Sequence, residues 1–87
     1  MASSARRIRK SVHSPEQLAL RELLIGARNK AALTQQKLAK RLGKPQSFVA
    51  KYEGGERRLD VIEFVVIARA IGADPVRMLR SLTAKMG

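Results

Sequence analysis

Eighty-seven residues carrying a formal net charge of +11, with no cysteine and a single histidine, make a small and strongly basic chain. That length suits one domain without a separate effector domain, and a chain so short buries only about 60% of its unfolded surface. No disulfide, thiolate metal site or thiol nucleophile is available, and His13 would stand alone as a metal ligand, so neither metal, cofactor nor enzyme is expected.

Apolar residues make up 45% of the chain, enough for a globular core and against wholesale disorder. The charge is unevenly placed. Arg6, Arg7, Arg9 and Lys10 load the first fifteen residues, and residues 28–58 hold nine basic groups against Glu53 and Glu56. Elsewhere acids and bases nearly balance. Positive charge gathered on one arm and one segment is the footprint of a polyanion-binding protein, whereas a merely soluble surface would spread it.

Residues 1–14, MASSARRIRKSVHS, hold no acidic residue and no apolar run long enough for a signal peptide. Their Arg/Ser bias faintly resembles a transit peptide, but the default reading is a disordered basic arm. Such an arm either follows a DNA backbone or minor groove, or serves as a solubilising tail. No stretch reaches the length of a membrane span.

Ser14-Pro15-Glu16-Gln17 opens the first helix, with serine at the cap, proline in the first turn and glutamine three residues on. Leu20, Leu23, Leu24, Ala27 and Ala31 follow at helical spacing, and the helix is expected to end near Lys30 or Ala31, with Leu33 packing below what comes next. Thr34 caps a second helix over 35–42, whose Leu38, Ala39 and Leu42 share one face. Gly43 ends it in a left-handed turn. Pro45 pre-sets the start of a third helix, 46–53, with Val49 and Tyr52 as a narrow apolar stripe. Gln46, Ser47 and Lys51 are left to point outward, and a short helix so equipped is shaped for a major groove.

Gly54 and Gly55 let the loop to Arg58 approach another surface closely. Asp60 with Glu63 reads as a capping box. Helix 61–71 is apolar almost all round and is therefore expected inside a bundle, with Gly72 as its end. Asp74-Pro75 restarts a last helix, in which Val76, Leu79 and Leu82 stand at spacing three while Met78 and Met86 are left to fill gaps or face a partner subunit. No alternating run or hairpin turn suggests a strand.

The stretch TQQKLAKRLGKPQSFVAKYEGGERRLD resembles the helix-turn-helix of the lambda-repressor-like, XRE-type family of phage and bacterial regulators, and the likeness runs from about Glu16 to Leu82. Gln35, Ala39, Gly43, Gln46, Ser47, Val49 and the Tyr52-Glu53-Gly54-Gly55 exit carry it at fixed spacing. It implies an all-α, five-helix domain over residues 15–84, preceded by the arm of residues 1–14. It also implies sequence-specific binding of double-stranded DNA by a small cytoplasmic regulator, a repressor sooner than an activator. That regulator would act as a homodimer on a partly palindromic operator. With nothing after Met86 to make a dimerisation domain, such a dimer is expected to use the last two helices or loops beside them and to be weak without DNA.

On this resemblance Gln46 and Ser47 meet base edges, and Lys51 reaches a guanine edge or a phosphate. Gln35 caps its helix onto a phosphate and packs against Gln46. Arg57, Arg58 and the amides of the glycine loop hold the backbone, as do Lys44, Lys37 and Arg41 more weakly. Arg28 pairs with Glu53 to tie the first helix to the end of the third. Phe48 either wedges against the core or touches a thymine methyl. Two positions depart from the family: Lys37 replaces the glutamate that would complete a capping box, and Pro45 replaces a small polar cap. Two other readings keep part of this picture. One is an antitoxin that represses its own operon, and the other a basic adaptor or RNA-binding module.

Overall fold

Five helices and the turns between them account for residues 12–87, which are the residues described by a computed structural model. They are α1 (Pro15–Lys30), α2 (Gln35–Leu42), α3 (Gln46–Glu53), α4 (Val61–Ile71) and α5 (Pro75–Met86). Of the arm expected over 1–14, residues 1–11 lie outside the described residues, while Val12 and His13 form a turn leading to Ser14. α5 runs two residues past the expected domain end at 84, since nothing before Gly87 breaks it.

Local chemistry starts each helix. The Ser14 hydroxyl accepts from the Gln17 amide at 3.2 Å, and the Thr34 hydroxyl accepts from the Lys37 amide at 3.1 Å. Thr34 therefore caps α2 without the missing glutamate. Asp60 and Glu63 exchange side-chain and backbone bonds in a complete capping box at α4. The Asp74 carboxylate takes the Val76 amide at 2.9 Å. Pro45 occupies the cap position of α3 at φ −69° and ψ 156° and makes no side-chain cap bond, so the helix begins at Gln46 as expected.

Helix ends share one device. After α1, α2 and α4, a left-handed residue lets the next amide reach back five residues: Leu33 to the Arg28 carbonyl, Lys44 to Ala39 and Ala73 to Ala68. Gly43 (φ 66°) and Gly72 (φ 91°) fill the left-handed position after α2 and α4. After α1 the position falls to Ala32, at φ 58° the one non-glycine residue with positive φ among those described.

The core lies where α1, α2, α3 and α4 meet, built from Leu24, Leu38, Ala39, Val49, Tyr52, Phe64, Ile67, Ala68 and Ile71, with Met78 closing it from α5. Leu33 is buried as expected. Two expectations fail. α4 is not enclosed: Ile62 is 71% exposed and Val66 51%, because its neighbours cover only the face of Phe64, Ile67, Ala68 and Ile71. On α5 the buried anchor is Met78 (8% exposed), whereas Val76 and Leu79 face solvent. The inward face follows Met78, Leu82 and Met86 at spacing four, which matches the helix turn better than the spacing of three suggested by Val76, Leu79 and Leu82. No helix of the described residues is long and apolar enough to cross a membrane.

Candidate nucleic-acid interface

α2 and α3 meet through Leu38, Ala39, Val49 and Tyr52, all buried, and the Gly43–Pro45 turn sets the angle between them. At about 100° per residue, Val49 and Tyr52 occupy one side of α3 while Gln46, Ser47 and Lys51 fall within roughly 140° of each other on the opposite side. All three are exposed. Their side chains together offer an amide, a hydroxyl and an ammonium from a helix whose back is locked.

Tyr52 is 1% exposed, and burial together with the Glu53 charge pushes its phenol well above the ordinary tyrosine range. The ring serves as core, and its hydroxyl finds no hydrogen-bond partner among the described residues.

Arg28 and Glu53 come together as a fork. Arg28 Nε donates to Glu53 Oε2 at 2.7 Å and Nη2 to Oε1 at 3.0 Å, with side-chain exposures of 12% and 6%. Arg28 Nη1 adds a bond of 2.7 Å to the Leu33 carbonyl. Glu53 also raises the Arg28 pKa, chiefly through the hydrogen bond, against the opposing effect of burial. The pair joins the end of α1 to the last residue of α3.

Gln35, the first residue of α2, extends this cluster outward. Its Nε2 donates to Glu53 Oε1 at 2.9 Å, and its Oε1 accepts from Gln46 Nε2 at 3.4 Å. The structure thus brings Gln35 and Gln46 together as the resemblance implied, and adds a link to Glu53 that it did not.

Phe48 is half-buried and meets Tyr52 edge-on at 5.8 Å between ring centroids. Two cations lie over its ring, the Lys44 ammonium at 5.6 Å from the centroid and the Arg57 guanidinium at 4.9 Å. Both were assigned to phosphate by resemblance, and Phe48 now explains how each is held beside α3. Arg57 is further restrained by Glu63, at 2.7 Å and 3.1 Å. The Arg57 guanidinium, and then the Asp60 amide, hold the Glu63 carboxyl below the usual glutamate range. Arg58 is exposed, and its carbonyl accepts from Arg57 at 3.1 Å.

The amides of the glycine loop are not free for phosphate, contrary to expectation. Gly54, Gly55 and Glu56 donate to the carbonyls of Ala50, Tyr52 and Lys51, continuing the end of α3. The close approach that Gly55 permits is to Arg21, whose guanidinium covers it from α1. Arg41, weighed as a weak phosphate contact, instead donates to the Ala70 carbonyl of α4 at 2.8 Å. Sequence reasoning missed both arginine contacts. Each spans about thirty residues, and nothing local marks a surface arginine as the cover of a distant glycine or carbonyl.

Comparison with known proteins agrees with this geometry. A family model described as helix-turn-helix matches residues 24–77. Among solved structures the chain is similar to an XRE-family like protein from Pseudomonas syringae pv. tomato str. DC3000. The two are 51% identical with a TM-score of 0.82, over 87% of this chain and 93% of that one. No curated protein matches the chain. Matched by the family model over more than half its length, the chain belongs to the XRE-type helix-turn-helix family of DNA-binding regulators.

Proposed function

We propose that the chain is a transcriptional repressor that recognises a specific double-stranded DNA operator by seating α3 in the major groove. One observation carries the reading: Gln46, Ser47 and Lys51 stand exposed on one side of a helix whose other side is immobilised by Val49 and Tyr52. Gln46 and Ser47 meet base edges from the first turn, and Lys51 lies one turn further on. Gln35, Lys44, Arg57 and Arg58 meet phosphates, positioning the helix without reading sequence. The domain of residues 15–84 carries this activity, the basic arm of residues 1–14 adds to its charge, and the protein acts in the bacterial cytoplasm.

A homodimer would place two recognition helices about 34–36 Å apart, in successive major grooves of a partly palindromic site. Assembly on DNA, and weakly without it, is the expected behaviour; a tight dimer in a sedimentation run of the free protein would contradict it.

Selection of bound duplexes from a random pool at about 150 mM salt tests the reading, because salt at that level suppresses binding that rests on phosphate charge alone. An enriched two-fold symmetric motif is the expected result. A pool that binds without enriching would overturn it in favour of a basic adaptor.

A further inference from the structure

Four polar side chains stand in file from the end of α1 to the exposed start of α3: Arg28, Glu53, Gln35 and Gln46. Their chemistry leaves little freedom. An ionised carboxylate can only accept, and both Glu53 oxygens already face the Arg28 fork. Gln35 must therefore turn its NH2 toward Glu53, which it does at 2.9 Å, and its carbonyl oxygen away. That oxygen faces Gln46, which must answer with an N–H and does so at 3.4 Å.

The consequence appears at the DNA-facing end. With one N–H of Gln46 turned to Gln35, its free oxygen and second N–H are left for a base. One acceptor beside one donor matches adenine, which shows N6–H and N7 in the major groove. It does not match guanine, which shows the two acceptors N7 and O6. Were the Gln46 amide reversed, its oxygen would be bound to Gln35 and two donors would point outward, matching guanine instead.

We propose that Glu53 is a specificity-determining positioning residue: acting through Gln35, it sets the amide orientation of Gln46 and so selects adenine over guanine at one base pair of each half-site. The inference rests on the reading of Gln46 as a base contact. Glu53 itself, 6% exposed at the side chain, touches no base.

Glu53→Gln tests it. An amide at that position offers one oxygen and one NH2 to the three donors of Arg28 and Gln35. Its oxygen remains with the Arg28 fork, and its NH2 turns the Gln35 oxygen inward. Gln35 then offers its NH2 to Gln46, which reverses. Duplex selection with the wild-type protein is expected to favour adenine by roughly tenfold at the pair facing Gln46, within the range of a bidentate contact. E53Q is expected to shift that one position toward guanine while leaving the other positions of the motif alone. An unchanged preference, or an equal loss at every position, would overturn the proposal and leave Glu53 a structural residue.

A second variant covers the case in which E53Q does not fold. Gln35→Met leaves the Arg28–Glu53 fork intact and frees the Gln46 amide to take either orientation. Adenine and guanine should then be bound within about twofold of each other, and a retained adenine preference would refute the relay. Side-chain amide signals of Gln35 and Gln46, followed by nuclear magnetic resonance in the free protein, separate this proposal from the proposed function. The Gln46 signals of Gln35→Met should be shifted from those of wild type, and identical signals in the two proteins would show that no relay exists. If wild type enriches no motif while the amide signals do respond, the operator reading fails and the relay stands.

Discussion

The guanidinium of Arg21 lies over Gly55, with its central carbon 3.0 Å from the place a Cβ would occupy. Gly55 is buried and left-handed at φ 81°, so α1 reaches across to hold the turn that ends the recognition helix. A side chain there meets both backbone strain and the arginine. Gly55→Ala should lose about 1–2 kcal/mol from the left-handed backbone alone, more if Arg21 cannot move aside. A urea titration showing a lower midpoint at unchanged slope would match this, and an unchanged midpoint would contradict it.

Ala32 is the opposite case. It holds φ 58° in the turn after α1, a conformation that its neighbours Asn29 and Arg28 stabilise by accepting backbone bonds but that alanine tolerates poorly. Glycine removes the strain, of roughly 1–2 kcal/mol, and gives back part of it as unfolded-chain entropy. Ala32→Gly should therefore stabilise the fold by about 0.5–1 kcal/mol, read as a rise in melting temperature.

Breaking the Arg28–Glu53 fork from one side strands a charge that is nearly buried. Arg28→Met should lose about 3–5 kcal/mol. The double variant Arg28→Met with Glu53→Leu should be less destabilised than that single one, because no unpaired charge remains. Chemical denaturation of wild type, the double variant and both single variants checks the order, and additive losses would show that the partners do not interact.

Reader and positioner should respond differently to truncation. Gln46→Ala should weaken the preferred site by about 1–3 kcal/mol and relax discrimination at one base pair. Arg58→Ala should weaken all duplexes alike and lower the salt dependence by about one unit of slope. Binding titrations across salt concentrations, on preferred and scrambled duplexes, distinguish them; identical behaviour would refute the division.

Glu63 connects stability to acid. Arg57 and the Asp60 amide lower its pKa in the folded state, so it binds protons less readily than in the unfolded chain. Its contribution is therefore present above the ordinary glutamate value of about 4.3 and is lost as pH falls through the lower folded value. The melting temperature of wild type should drop between pH 5 and pH 3 by more than that of Glu63→Gln. Equal slopes would show that the carboxylate is not what the cap depends on.

Local rules made most of the fold legible. Thr34, Asp60 and Asp74 mark helix starts because a short side-chain acceptor beside free amides acts within three residues, and Gly43 and Gly72 mark ends because the left-handed turn is equally local. Packing was harder to read. Val76 and Leu79 look as apolar as Met78, and only the position of α1 and α4 decides which of them meets the core.

The site divides the same way. The sequence by itself determined the helix-turn-helix, its outward Gln46, Ser47 and Lys51, and the excess of positive charge around them, since periodicity and composition are properties of the chain. Only the tertiary structure decided that Phe48 carries Lys44 and Arg57, that Arg21 covers Gly55, and that Glu53 touches Gln35. Side-chain contacts between helices depend on the angles at which those helices cross, and no local spacing in the chain encodes such an angle.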